Sequence, residues 1–204
     1  MAPDRGRTGR YHHGALPEAL KAAALALVAE HGPRGFTLKD AASATGVSGT
    51  APYRHFRDAE SLLAAIGVDA YGSLDAAIPE GSGADPCDLL AAAMAAYVEW
   101  VLGNNAAFQI LFFAGLEKAR YPELVDASEP LMERFTRLAE GVVGPGRDLD
   151  ARDLMVQAFA CAHGLAALAA DPALSRVRLD PDDLVTLCSR AVVVLARSAV
   201  EGSQ

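Results

Sequence analysis

The sequence predicts an all-α protein of about nine helices, arranged as a three-helix unit containing a helix-turn-helix and a longer helical domain behind it. Three observations carry this. Apolar residues recur at spacings of three and four along most of the 204-residue chain, which is the period of a helix face. No segment alternates apolar and polar residues for long enough to make a strand. Proline, glycine, asparagine and aspartate fall where the periodic stretches begin and end. With 51% of its residues apolar, the chain can bury one sizeable core or two smaller ones.

Residues 1–14 hold Arg5, Arg7 and Arg10 among glycines and polar residues and predict a mobile arm. Such an arm is either a solvated tail or a minor-groove contact beside a duplex. His12 and His13 are adjacent, so their side chains diverge, and no further ligand at helical spacing supports a metal site. The first helix has Pro17 in its first turn and a stripe of Leu16, Leu20, Ala24, Leu27 and His31, and Gly32-Pro33 stops it.

The stretch from Thr37 to Phe56 organises the rest. Thr37 and Asp40 form a capping-box pattern at the start of a short helix, which Gly46 ends. Val47 is expected to be the buried residue of the turn, and Ser48 or Gly49 to cap a second helix running to about Phe56. Pro52 is tolerated only in a helix's first turn, which fixes where that helix starts. Pro52 and Phe56 then share the inward row, Thr50 and Arg54 the outward one, with Tyr53 and His55 on the shoulders. This is the arrangement a helix in a major groove needs, with donors at its centre and phosphate partners beside them.

Asp58 caps a helix whose Leu62, Ile66, Ala70, Leu74 and Ile78 repeat every fourth residue until Pro79. Glu80 to Asp85 reads as a linker. Asp85-Pro86 opens a helix through Leu89, Ala93, Met94, Tyr97 and Val101 that closes at Gly103, and Asn104 and Asn105 cap a short, very apolar one, Phe108 to Phe113. Gly115 to Tyr121 reads as a charged loop, and Pro122 starts a helix that Pro130 bends or restarts with Ser128 as cap. Its stripe is Leu131, Phe135, Leu138 and Val142. Asp150 opens a helix ending at Asp171-Pro172, and Asp180-Pro181 opens the last, with a stripe of Leu184, Leu187, Ala191, Val194 and Ser198. Both final helices are apolar over a wide arc, and Ala162, Gly164, Ala166 and Ala169 permit close helix approach, the pattern of a dimer interface.

The net charge of −8 is unevenly placed, with eight Lys/Arg against six acids in residues 1–62 and ten against twenty beyond. An acidic body would sit away from a duplex and orient the mildly basic front toward it. Cys87, Cys161 and Cys188 lack C-x-x-C spacing and read as buried thiols in a reducing compartment. No uninterrupted apolar run of eighteen residues and no signal-peptide h-region stands out, so a cytoplasmic location is expected and a membrane span is not. G-x-S-x-G, H-E-x-x-H, Walker A and dinucleotide-binding motifs are missing, so an enzyme is not expected and no cofactor or metal is implied.

The segment TGVSGTAPYRHFRDAESLLAAI resembles the DNA-binding signature of the TetR family of transcriptional regulators, the likeness spanning about Tyr11 to Ile66. The resemblance implies a DNA-binding domain at 15–68 and a ligand-binding and dimerisation domain at 69–204. It also implies a homodimer paired through its last two helices, acting as a repressor that a small, largely apolar effector releases from a palindromic operator in double-stranded DNA. Carried over residue by residue, Thr37, Tyr53 and His55 would hold phosphates, and Lys39, Thr50 and Arg54 would read base edges, with Ser48 and Gly49 in the same face. Ala59 stands where the family often has a lysine, leaving the backbone N–H groups of that helix start to meet phosphate. CAHGLAAL resembles the subgroup whose C-terminal domain is named for a Trp, a His and a Gly: His163 and Gly164 match, and Phe159 is the aromatic nearest the missing tryptophan. Met94, Tyr97, Trp100, Phe108, Phe112, Met132, Phe135, Met155, Phe159 and His163 are either core or the lining of the effector pocket. The alternatives are an activator or ligand-independent DNA binder, and a helical small-molecule-binding protein or enzyme.

Overall fold

A computed structural model describes residues 15–81, 84–170 and 180–201. The expected arm at 1–14, with His12 and His13, and the Asp171-Pro172 stop lie outside the described residues. The described residues form eight α-helices: α1 (Ala15–His31), α2 (Leu38–Ala44), α3 (Ala59–Ala77), α4 (Pro86–Gly103), α5 (Asn105–Phe113), α6 (Pro122–Val143), α7 (Asp148–Ala170) and α8 (Pro181–Glu201). Two short 3-10 turns, Ala51–Arg54 and Lys118–Arg120, complete them. The first stands where the second helix of the helix-turn-helix was expected, and the second lies inside the stretch expected to be a plain loop.

The caps follow the sequence closely. Thr37 Oγ1 accepts from Asp40 N at 3.3 Å while Thr37 N donates to Asp40 Oδ2 at 2.8 Å, the reciprocal pair of a capping box. Asp58 and Ser61 do the same at the start of α3. Asp85 accepts from Cys87 N at 2.8 Å ahead of Pro86, and Asp180 accepts from Asp182 N at 3.0 Å ahead of α8. Gly46 takes a left-handed φ of 70° after α2, the conformation that glycine adopts without strain.

Three local expectations are corrected. Pro130 does not restart a helix, because α6 runs unbroken through it. Pro130 is exposed, so the backbone bond it removes faces water, and Ser128 Oγ donates back to Val125 O at 2.7 Å instead of capping a new helix. Asn104 does not cap α5 with its side chain: its Nδ2 donates to Trp100 O at 2.8 Å and closes α4. Helix α7 starts at Asp148, ahead of the expected Asp150.

Two apolar clusters organise these elements. The smaller gathers Leu20, Ala24 and Val28 of α1, Phe36, Leu38 and Ala41 around α2, Phe56, and Leu62, Leu63 and Ile66 of α3. Ile110 of α5 closes it. The larger is built on α4, which packs most extensively against α8, with the second half of α3 and α6 and α7 around them. The expected row of α3 is buried throughout, and α3 serves both clusters, Leu62 and Ile66 in the first and Ala70, Leu74 and Ile78 in the second. Helix α5 serves both as well: Phe108 lies in the larger cluster and Ile110 in the smaller, two residues apart and so on opposite faces.

Helix α6 is fastened to α3 at two points. A Cβ at Gly67 would lie 2.7 Å from Leu124 Cδ1, so any larger residue there would have to push that methyl aside. Arg134 donates to Asp75 O and Ile78 O, each at 2.9 Å, at the C-terminal end of α3. The windows Pro86–Gly103 and Asp150–Ala170 are long and apolar enough to cross a membrane by length and composition, though charged residues such as Asp88, Glu99 and Asp153 interrupt them. The first is 50% buried and supplies Leu90, Met94 and Tyr97 to the core, as a central helix of a folded domain does.

Candidate functional site

The polar face of the small cluster is built from its caps and its turn. After Gly46, Val47 is half-buried, less than expected, and its N–H donates to Ala42 O at 3.2 Å. Ser48 O then accepts from Ala51 N at 2.9 Å, which leads into the 3-10 turn. Thr50 makes no side-chain cap bond, and the element is a 3-10 turn rather than the helix expected to end near Phe56. Its last residues still close on Pro52, whose carbonyl accepts from both His55 N and Phe56 N at 2.9 Å. Pro52 and Phe56 are buried, and Ser48, Gly49, Thr50, Tyr53, Arg54 and His55 are exposed. Tyr53 is 52% exposed, high for a ring of its size. Lys39 of α2 joins the same face, its Cγ lying 4.0 Å from where a Gly49 Cβ would stand.

Two of the expected contacts are differently placed. Thr37 Oγ1 donates to Asp40 Oδ2 at 2.7 Å, so its hydrogen goes to that carboxylate. The hydrogen bonds from Thr37, side chain first and then backbone, hold the Asp40 carboxyl below the usual range, and an anion therefore lies beside the face. The start of α3 is not an open set of N–H donors either. Asp58 Oδ1 accepts from Ser61 N at 2.8 Å, and that backbone bond is the main cause holding the Asp58 carboxyl ionised. Glu60 pairs with Arg120 at 3.0 Å, and Arg57 with Asp58 at 3.1 Å. Two carboxylates in the first turn already complement the helix dipole and would oppose a phosphate there.

The expected pocket residues divide into groups. Met94, Tyr97, Phe108 and Phe135 are fully buried. Phe112, Met155, Phe159 and His163 are half-buried beside them. The His163 ring lies 4.6 Å from Phe112, 5.4 Å from Phe108 and 5.5 Å from Phe159, and its Nδ1 shares a 2.8 Å hydrogen bond with the Tyr97 hydroxyl. Burial lowers the His163 pKa, so the ring is neutral, and burial raises that of Tyr97, which stays a phenol. The cluster is thus an apolar aromatic nest with one neutral polar pair. Met132 does not belong to it: it is 40% exposed, in a surface groove of α6 with Glu129, Glu133 and Arg137. Trp100 also faces elsewhere, its Nε1 donating to Ser73 Oγ at 3.1 Å across a cleft between α1, α3, α4 and α5.

The sequence reading missed Ile110. A helix as uniformly apolar as Phe108–Phe113 has two buried faces, and that was the available signal.

The outer faces of α7 and α8 carry large apolar residues among polar ones. Val156 and Leu168 of α7 and Leu187, Val194 and Val200 of α8 are each 42–64% exposed. Only 22% of the Asp150–Ala170 window is buried. Of the small residues expected to admit a partner helix, Ala162 and Ala166 are fully buried within the chain. Gly164 differs, since a Cβ there would meet nothing within 4 Å. In α8 the inward row is Leu184, Cys188, Val192 and Ala196, which leaves Leu187 and Val194 of the expected stripe facing outward. Burial pushes the Cys188 thiol up to about 12, so it behaves as a core residue.

Comparisons with known proteins match two stretches of the chain to family models. Residues 20–66 match the family model of bacterial regulatory proteins of the tetR family, and residues 90–192 match that of the tetracyclin repressor-like C-terminal domain. A protein of unknown function from Rhodococcus sp. RHA1 is 29% identical, with a TM-score of 0.67 over 90% of this chain and 96% of that one. A transcriptional regulator from the same organism is 26% identical, with a TM-score of 0.65 over 91% of this chain and 96% of that one. A tetR-family regulatory protein from Rhodococcus RHA1, 22% identical, has the same fold with a TM-score of 0.70 over 89% of this chain and 95% of that one. No curated protein sequence matches the chain.

Proposed function

Since the chain belongs to the TetR family and is a DNA-binding transcriptional regulator rather than an enzyme, we infer that it works as a homodimeric repressor whose operator is palindromic. The observation that carries the DNA-binding face is the exposed set Lys39, Ser48, Gly49, Thr50, Tyr53, Arg54 and His55, held on a unit whose Pro52 and Phe56 are buried. Tyr53 and His55 meet phosphates, Lys39, Thr50 and Arg54 read base edges, and Thr37 positions α2 through its capping box. The outward apolar rows of α7 and α8 pair with those of a second copy.

A small, largely apolar effector is sensed at the nest around His163, with Phe112, Met155 and Phe159 as its half-buried lining. Helix α5 is the route to the DNA-binding domain, residues 15–68, because it packs Phe108 and Phe112 against His163 and Ile110 into the core of that domain. An effector that favours a shifted α5 would select a dimer whose two recognition turns no longer match the operator spacing.

Operator titration of variants tests the face. Tyr53→Phe combined with His55→Ala is expected to weaken binding to all sequences alike, because phosphate contacts carry no sequence information. Arg54→Ala is expected to cost about 1–3 kcal/mol and relax preference at one base pair per half-site. Unchanged binding in both variants would remove the assignment.

A further inference from the structure

The cleft between α1, α3, α4 and α5 belongs neither to the DNA-binding face nor to the nest around His163. Its volume is about 280 Å³, at the lower end for a small-molecule site, so it suits a compact occupant. Its lining is amphipathic. Leu25, Ile66, Ala70, Ala107 and the Trp100 ring provide apolar surface, and Glu18 and Asp69 stand at its edge.

Three charged side chains stand at the cleft, two carboxylates and one ammonium. Lys21 lies between Glu18, at 2.8 Å, and Asp69, and its side chain is only 16% exposed. The two carboxylates are 70% and 58% exposed, so each keeps accessible acceptor positions beyond its bond to Lys21. One ammonium against two carboxylates leaves the rim with a net negative charge. The Trp100 N–H is spent on Ser73 and the Asn104 amide on Trp100 O. With the indole N–H turned to Ser73 and two carboxylates facing one ammonium, the charge balance of the rim favours a cation and disfavours an anion.

We propose that this cleft binds a compact amphipathic organic cation, with its apolar body against Trp100 and Leu25 and its ammonium at Asp69 and Glu18. The walls come from both apolar clusters, Leu25 and Ile66 beside the smaller and Ala70 and Trp100 in the larger. An occupant bridges them and clamps α1 against α4 and α5.

Trp100 is the sole tryptophan, so its fluorescence reports on the cleft directly. Phenethylamine added to the full-length protein without DNA is expected to change that emission saturably. Asp69→Asn should weaken the apparent affinity by about tenfold or more. Ala22→Phe, which fills the cleft from an exposed position on α1, should abolish the saturable change while leaving far-UV circular dichroism unchanged. Phenethyl alcohol should bind at least about tenfold more weakly than the amine, and phenylpropionate not at all. A non-saturating response to the amine, equal binding of the alcohol, or a wild-type titration in Ala22→Phe would overturn the proposal. Because no DNA is present, none of these outcomes depends on the repressor reading.

Discussion

Val194→Asp is expected to leave the protein folded but monomeric, and to weaken operator binding by about a hundredfold or more. The substitution sits at a position 64% exposed within one chain, so it removes almost no intrachain packing and should change unfolding free energy by no more than about 0.5 kcal/mol. In a dimer paired through α7 and α8 the same carboxylate would be desolvated against the apolar row of the partner, a cost that dimerisation cannot absorb. Each half-site contact would then be made by an independent molecule, and the gain from linking two recognition units would be lost. Sedimentation velocity and operator titration read the two consequences separately. A dimer that survives Val194→Asp with full operator affinity would place the interface elsewhere.

Ile110→Ala is expected to lower stability by about 2–5 kcal/mol, the range for emptying a large aliphatic side chain from a closed core. Ile110 is fully buried and contacts the cluster made by Leu20, Ala24, Val28, Leu62 and Ile66, although it belongs to a helix outside the DNA-binding domain. Urea denaturation gives the stability loss. The account further expects operator affinity to fall, since the substitution loosens the support of α1 and α3 without touching any residue of the DNA-binding face. Stability and operator affinity both unchanged would mean that α5 is not the mechanical link to the head.

What the sequence made legible was the local chemistry of chain direction. Thr37 with Asp40, Asp58, Asp85 with Pro86 and Asp180 with Pro181 open helices where expected, because a cap and its partner lie within a few residues of each other. The inward row of α3 was equally readable, since a single buried face at four-residue spacing has one interpretation. The element at Pro52 was expected as a longer helix, since its inward Pro52 and Phe56 fit a regular helix as well as the 3-10 turn that forms.

Less legible were the features decided by tertiary neighbours. Pro130 reads as a break until its position on the solvated side of α6 is known, and Asn104 reads as a cap until Trp100 O is found beside it. Met132 and Phe135 have the same apolar character, but only Phe135 lies on the row facing the core. Ala162 and Gly164 both looked like interface residues. Only Gly164 has open space at its Cβ, because α4 and α8 claim the other side of α7. The double role of α5 was hidden for a related reason: an all-apolar helix does not say which of its faces meets which core.

Selection of bound duplexes from a random DNA pool tests the central claim most directly. A homodimeric regulator reading bases with Lys39, Thr50 and Arg54 should enrich one inverted repeat, its half-sites a whole number of helical turns apart, and Arg54→Ala should relax the same position in both halves. Enrichment of no sequence, or of one that Arg54→Ala leaves unaltered in both halves, would contradict it.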